Sequence, residues 1–136
     1  MLARIRELTG LRHSFAFETT LASRTFPPHL RDAREQGYRV HLFFLTLPDA
    51  GLAVARVSQR VSAGGHDMPE NEVRRRYTGG RDNFFGLYRP LADEWYVLDN
   101  SDYHSPRAIA SGRGTSVLRV FRQAEWLQFS GAVNEH

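Results

Sequence analysis

The segment GGHDMPENEVRRRY, residues 64 to 77, carries three consecutive arginines, Arg74, Arg75 and Arg76, directly before its final residue, Tyr77. Three adjacent guanidinium groups repel one another, so acidic side chains or a bound anion must offset their charge. Successive helical residues are roughly 100° apart, so the three side chains fan around the helix and at most two can face one ligand. The pattern therefore fits either a solvated helix face or a phosphate site.

A second pair of arginines, Arg56 and Arg60, lies four residues apart on the preceding predicted helix. Like charges at this spacing destabilise an isolated helix by a few tenths of a kcal/mol, about 0.2 to 0.5. Acidic neighbours or a polyphosphate would offset the repulsion, and arginine binds phosphate in a bidentate manner. Gly64 and Gly65 form a hinge between the two helices. We therefore interpret residues 56 to 76 as a mobile cationic lid.

Polar side chains also follow two predicted strands. Glu18, Thr19 and Thr20 end the first strand, and Asp99 with Asn100 ends a later one. Ligands of parallel sheets bind beyond the carboxyl ends of the strands, so these residues are expected at one rim. Glu18 fits a carboxylate that accepts hydrogen bonds from a substrate hydroxyl, and equally a solvated loop acid or a helix N-cap.

Arg24, a few residues after Thr20, is expected to line the same crevice as the first of these groups.

The hydrophobic pattern alternates strands with helices, which predicts an α/β fold with a mainly parallel sheet and flanking helices in one domain, residues 1 to 136. Large apolar side chains, Trp95, Trp126, Phe43 and Phe44, are expected in its core. Strands are predicted over 14 to 19, 38 to 47, 94 to 101 and 116 to 121. Helices are predicted over 2 to 8, around Pro27-Pro28 up to a stop at Gly37, over 50 to 62, from an Asp67/Glu70 capping box to Tyr77 or Thr78, over 82 to 88, and near 107 to 110.

The composition excludes several classes of chemistry. All 18 cationic residues are Arg, against 15 acidic residues and a net charge of +3, so no lysine can act on a nucleotide phosphate. The absence of Cys excludes disulfides and thiolate nucleophiles. The six His have no metal-binding spacing, so no metal site is predicted. Without an apolar run long enough for a signal peptide or a membrane span, a cytoplasmic protein is expected.

The segments FAFETTLASRT, YRVHLFFLTLPD, NFFGLYRPLADEW and LDNS, with the block RVSQRVSAGGHDMPENEVRRRY, resemble the zeta-toxin-like P-loop kinases, over roughly residues 3 to 112. This family includes kinases of UDP-N-acetylglucosamine. The resemblance implies that Arg60 and one or two of the arginines 74 to 76 act on the transferred phosphoryl group. It places Glu18 at the sugar-nucleotide end of the site, and Asp99 and Asn100 towards the nucleotide base.

One part of the family pattern has no counterpart. Intact relatives open with a strand and a G-x-x-x-x-G-K-S/T loop and use ATP and Mg²⁺, whereas no such loop occurs in these 136 residues. The resemblance therefore predicts a partial P-loop kinase fold without its first strand and phosphate loop: a truncated kinase, impaired alone, that retains affinity for a nucleotide, a nucleotide sugar or another anion.

Loss of a central strand would expose its neighbours, so we expect either a homo-oligomer or a complementing chain that fills the sheet, or an altered strand order in which the remaining strands close up. An antitoxin is a further candidate partner. The alternative is an Arg-rich module that binds nucleic acid or a protein partner. The small net charge and the interspersed acids argue against nucleic acid.

Overall fold

The computed structural model describes residues 16, 21–65, 67–102 and 104–134. Within them a four-stranded sheet has the order β1-β2-β3-β4, with strands β1 (His41–Thr46), β2 (Glu94–Asp99), β3 (Arg107–Arg113) and β4 (Ser116–Val120). Four α-helices accompany it: α1 (Pro27–Glu35), α2 (Ala50–Ser62), α3 (Glu70–Asn83) and α4 (Gln123–Asn134). The α/β class predicted from the sequence is confirmed. The helix predicted over 2 to 8 lies outside the described residues, as does all but Ala16 of the strand predicted over 14 to 19.

The strand directions differ from the mainly parallel sheet that was predicted. Only β1 and β2 run parallel in the described part of the chain, while β2 with β3 and β3 with β4 are antiparallel. Just seven residues, 100 to 106, separate β2 from β3, and a parallel crossover needs about a dozen or more. The return strand must therefore be antiparallel. The short helix predicted near 107 to 110 is wrong because this segment is β3, paired on both sides.

The parallel unit positions the site. Strand β1 is followed at once by α2, whose predicted bounds, 50 to 62, are confirmed. The Asp49 side chain accepts a hydrogen bond from the Leu52 amide at 2.8 Å, which caps the helix as the sequence indicated. In the described residues β1 pairs only with β2 and lies at an edge of the sheet, although its sequence is typical of a central strand.

Prolines set two helix starts. Pro27 and Pro28 begin α1 instead of interrupting a longer helix, because proline fits the first turn, where no amide is needed. The capping box predicted at Asp67 is wrong: α3 begins at Glu70, and Pro69 is its N-cap residue. A residue before proline is driven to extended backbone, so the chain cannot turn helical at Met68.

Helix α3 also runs further than predicted, to Asn83, and continues through a π-helical turn, Phe84–Tyr88, into a 3-10 turn, Arg89–Leu91. Thr78-Gly79-Gly80 reads as a helix end in the sequence, yet Gly80 is buried inside α3. Tertiary packing outweighs the roughly 1 kcal/mol helix penalty of a glycine.

The core lies on one face of the sheet, under α4 and the π-helical turn. Aromatic rings dominate it: Phe84 contacts Phe44 and Trp95 with ring centroids 5.3 and 5.4 Å apart, and Trp126 stacks on Trp95 at 5.9 Å. Trp95 and Trp126 are buried as predicted. Phe44 is half-buried against this cluster, but the prediction is wrong for Phe43, which lies on the opposite face with 65% of its surface exposed. Strand alternation separates these neighbours.

No helix in the described part of the chain is both long and apolar enough to cross a membrane.

Candidate functional site

A cavity of about 330 Å³ opens at the carboxyl ends of β1 and β2. Thr46 and Asp99, the last residues of these strands, are paired neighbours, so the parallel register brings both ends to one rim. The size is at the lower end of the range of small-molecule sites, about 300 to 1,000 Å³. The lining residues come from the β1–α2 loop, α3, β2, β3 and α4: Thr46, Leu47, Pro48, Asp49, Ala50, Tyr77, Thr78, Arg81, Asp99, Ile109, Glu125, Gln128 and Phe129.

Two hydrogen bonds hold the walls of the cavity to the loop after β1. The Tyr77 hydroxyl, on α3, donates to the Leu47 carbonyl at 2.7 Å. The Gln128 side chain, on α4, donates from Nε2 to the Pro48 carbonyl at 3.1 Å. Burial raises the pKa of Tyr77, so its hydroxyl keeps the proton that it donates. Residues 47 and 48 are thereby fixed between two helices distant in sequence.

Each of the three carboxylates among the described lining residues has a local partner. Asp49 caps α2, and the Asp99 carboxylate accepts a hydrogen bond from the Ser101 amide at 2.8 Å. Glu125 forms an ion pair with Arg122 at 3.3 Å, and hydrogen bonding from Arg122 lowers the pKa of Glu125. Carboxylate oxygens have several lone pairs, so all three groups can accept further hydrogen bonds.

Arg81 is the cation among the lining residues. Its guanidinium lies 5.9 Å from the centre of the Tyr77 ring. Its Nε is buried and has no hydrogen-bond partner within the described residues. The Nε atoms of Arg89 and Arg122, which do not line the cavity, are buried without a hydrogen-bond partner there as well, so what distinguishes Arg81 is its place at the cavity.

Sequence reasoning found one wall of this site and missed the others. Asp99 lines the cavity, whereas Asn100 contributes a backbone bond, donating its amide to the Thr46 carbonyl at 2.8 Å. Arg81 was missed because α3 was expected to end near residue 78, and Tyr77, at the end of the predicted helix, was given no role. Their i, i+4 spacing on one helix face is the signal that would have found them.

The three consecutive arginines lie outside the cavity lining, exposed on α3 and paired with acids of their own helix. Arg74 lies 3.6 Å from Glu70, and Arg75 and Arg76 both bind Glu72, with Arg76 Nε at 3.1 Å. Hydrogen bonds from Arg75 and Arg76 lower the pKa of Glu72 to about 2. Their charge is thus offset within the helix, which is the first of the two alternatives that the sequence allowed.

Arg56 and Arg60 lie one turn apart on α2 and differ in burial. Arg60 is exposed in the last turn of α2, next to the Gly64-Gly65 connection. Arg56 is half-buried and donates from Nη2 to the carbonyl of Ser101, the residue that binds Asp99. The structure therefore brings Arg56 to the end of β2, and the catalytic role expected for Arg60 and the arginines 74 to 76 stays a prediction.

The predicted substrate residues Glu18, Thr19 and Thr20 lie outside the described residues. Arg24 is exposed in the loop before α1 and does not line the cavity. That loop is tied to the core, because the Tyr88 hydroxyl donates to the Ser23 carbonyl at 2.6 Å. The substrate-binding role of all four residues stays a prediction.

No group of three or more His, Asp or Glu side chains that could hold a metal ion occurs within the described ranges.

Comparison with known proteins agrees with the resemblance. A curated relative, an uncharacterized protein of Haemophilus influenzae, is 32% identical over 79 residues, which are 53% of this chain and 56% of the relative. The chain thus spans about half the length of this relative. No solved structure matches. The model of the zeta toxin family matches residues 3 to 105, three quarters of the chain, so the chain belongs to the zeta toxin family of P-loop-kinase-like proteins.

Proposed function

We propose that this chain is the substrate and lid part of a zeta-toxin-like kinase, and that it binds a nucleotide in the cavity at the ends of β1 and β2. The observation that carries the proposal is the position of Arg81, a cation that lines the same cavity as Asp99 at the ends of β1 and β2. The family supports a nucleotide as the ligand class.

The residues that line the cavity suit the nucleoside of a nucleotide better than its phosphates. The carboxylates of Asp49, Asp99 and Glu125 accept hydrogen bonds from hydroxyl or amino groups, which a ribose or a base offers. They repel phosphate, and Arg81 is the one cation among the described lining residues that opposes them. The nucleoside therefore fits inside the cavity, with a single phosphate at Arg81.

The described residues do not fit a whole triphosphate with its metal. Binding of the β- and γ-phosphates in this class of kinase needs a glycine-rich loop with a lysine, and these 136 residues contain no lysine. We therefore propose that phosphoryl transfer to an acceptor such as UDP-N-acetylglucosamine is impaired in this chain alone. When a phosphate loop is present, ATP with Mg²⁺ would supply the phosphoryl group.

Calorimetric titration with AMP, ADP, ATP and UDP-N-acetylglucosamine tests the binding proposal. A charged hydrogen bond contributes about 1.5 to 3 kcal/mol, so Arg81→Gln should weaken nucleotide binding roughly tenfold or more. Arg75→Gln is the matched control, because Arg75 lies on the same helix but away from the cavity. Equal affinity in wild type and Arg81→Gln would exclude the cavity as the site.

Enzyme kinetics test the proposal that phosphoryl transfer by this chain alone is impaired. Incubation with labelled ATP, Mg²⁺ and UDP-N-acetylglucosamine should give phosphorylation far below the usual kinase rates of about 1 to 100 per second. Turnover in that range by the pure chain would contradict the proposal.

The alternative function, an arginine-rich module for nucleic acid or a partner, has less support. Arg74, Arg75 and Arg76 are each paired with Glu70 or Glu72, so this surface is an ion-paired helix face. Binding to a phosphate backbone would fall steeply with salt, and a salt titration with duplex DNA tests it.

A further inference from the structure

The side chain of Arg56 connects α2 to the loop that follows β2. It is half-buried and donates from Nη2 to the carbonyl oxygen of Ser101, a residue 45 positions away in sequence. Arg56 is not one of the residues that line the cavity. Any influence that it has on a ligand there must therefore pass through a neighbouring residue.

Ser101 in turn holds the carboxylate of Asp99, which does line the cavity. The Ser101 amide and hydroxyl both donate to Oδ1 of Asp99, at 2.8 and 2.5 Å. Neither bond uses Oδ2, so this oxygen can accept a hydrogen bond from a ligand. Two bonds to Oδ1 restrict the rotation of the carboxylate and hence the direction of Oδ2. Arg56, Ser101 and Asp99 thus form a chain of hydrogen bonds from α2 to the cavity wall.

The middle member of this chain lies in a loop. Ser101 is exposed, and it belongs to the seven-residue connection, 100 to 106, between β2 and β3. Surface loops are the most mobile parts of a fold unless hydrogen bonds tie them down. A mobile Ser101 would let the Asp99 carboxylate rotate. The bond from Arg56 opposes this motion, because it fixes the Ser101 backbone to a helix.

Helix α2 also fixes a second carboxylate of the cavity. Asp49 lines the cavity and caps the first turn of α2, where it accepts the hydrogen bond from the Leu52 amide. Arg56 lies nearly two turns further along the same helix, a distance of about 10 Å. One rigid helix therefore sets the position of Asp49 and, through Ser101, that of Asp99.

We propose that Arg56 is a positioning residue, which acts through Ser101 to orient the Asp99 carboxylate so that it accepts a hydrogen bond from the nucleoside in the cavity. The inference rests on the proposed function, which supplies the ligand. This role differs from the phosphate contact considered for the arginines of the predicted lid. The effect of Arg56 reaches the ligand through a carboxylate, which accepts hydrogen bonds from hydroxyl or amino groups.

A double-mutant cycle with AMP as the ligand tests this inference. Arg56→Met keeps most of the apolar stem and removes the guanidinium, and it should weaken AMP binding roughly threefold or more in calorimetry. Asp99→Asn should weaken AMP binding as well. Because Arg56 acts through Asp99, the double variant should bind AMP no more weakly than Asp99→Asn alone.

Further variants and a ligand-free measurement separate positioning from a general loss of structure. Arg56→Lys keeps a donor and should recover part of the affinity for AMP. Arg31→Met, exposed on α1 and away from the cavity lining, is the matched control and should bind AMP like the wild type. Without nucleotide, hydrogen exchange at the amides of residues 100 to 102 should be faster in Arg56→Met than in the wild type. Circular dichroism checks that each variant folds.

Additive losses in the double variant, or equal AMP affinity of Arg56→Met and wild type, would overturn the inference. Unchanged exchange at residues 100 to 102 would overturn it too, because Arg56 would then not hold the loop. If the wild-type chain binds no nucleotide, the proposed function fails, while faster exchange in Arg56→Met still supports the hold of Arg56 on this loop. Nucleotide binding that Asp99→Asn weakens and Arg56→Met leaves unchanged would keep the proposed function and reject the inference.

Discussion

Gly112 on β3 lies where no side chain fits. A Cβ added there would lie 2.2 Å from Trp95 Cζ2 and 2.3 Å from the Ser116 carbonyl oxygen. Carbon atoms in contact are normally about 3.5 to 4.0 Å apart, so the tryptophan ring or the β3–β4 hairpin must move by more than about 1 Å. The ring cannot move freely, because it is fully buried and its Nε1 donates to the Gly114 carbonyl at 2.9 Å.

Gly112→Ala should therefore destabilise the protein at the upper end of the overpacking range, by about 3 kcal/mol. That is a large part of a typical total stability of about 5 to 15 kcal/mol. For a domain of this size it lowers Tm by roughly 10 °C. Urea unfolding followed by the combined fluorescence of Trp95 and Trp126, which stack on each other, measures the free energy of unfolding.

Gly79→Ala is the matched control for this prediction. Gly79 lies in α3, and a Cβ there meets no atom within 4 Å. Alanine should stabilise this helix by up to about 1 kcal/mol. If Gly112→Ala instead unfolds within about 0.5 kcal/mol of the wild type, the ordinary range for exposed sites, then β3 does not pass against Trp95 as described.

Three further predictions concern ionisation and capping. The pKa of Glu72, lowered to about 2, should rise towards 4.5 in Arg75→Ala, and carboxyl NMR titration measures this change. Because the folded pKa is depressed, the stability that Glu72 contributes is present above its unfolded pKa and is lost as pH falls towards 2. An unchanged pKa would refute the pairing. Burial raises the pKa of Tyr88 to about 12, so the stability that its protonated hydroxyl contributes is complete below an unfolded pKa of about 10 and is lost as pH rises through 12. Ultraviolet titration of wild type against Tyr88→Phe should show this late-titrating phenol. Its titration at about 10 would contradict the burial. Asp49→Ala should destabilise the protein by about 1 kcal/mol in urea unfolding while Asp49→Asn keeps most of the cap, and equal stability of all three proteins would show that the bond to Leu52 does not matter.

Local signals predicted the elements whose boundaries depend on a few neighbouring residues. Asp49 marks the start of α2, and Gly37, with φ of +96°, follows the end of α1. The same rules failed at Asp67, where a capping pattern lost to the restriction before Pro69, and at Gly79-Gly80, where packing carried the helix onwards. Local propensity is decisive only where tertiary contacts do not oppose it.

The site was predicted in part for a related reason. Asp99 was found because it ends a strand, and strand ends are visible in a sequence. Arg81 and Gln128 were not, because their place at the rim depends on how α3 and α4 pack. The pairing of Arg75 and Arg76 with Glu72 decides between two readings that the residue order left open.

The sequence by itself determined the zeta toxin family, the α/β class, the absence of lysine and the succession from β1 through α2, because these depend on composition and on contacts between near neighbours. The tertiary structure alone decided that β3 and β4 return antiparallel, that Phe43 is exposed while Phe44 packs in the core, and that Arg81 meets Asp99 at one cavity. These outcomes depend on distant segments that meet only in the folded chain, and a long-range contact leaves no periodic pattern in the sequence.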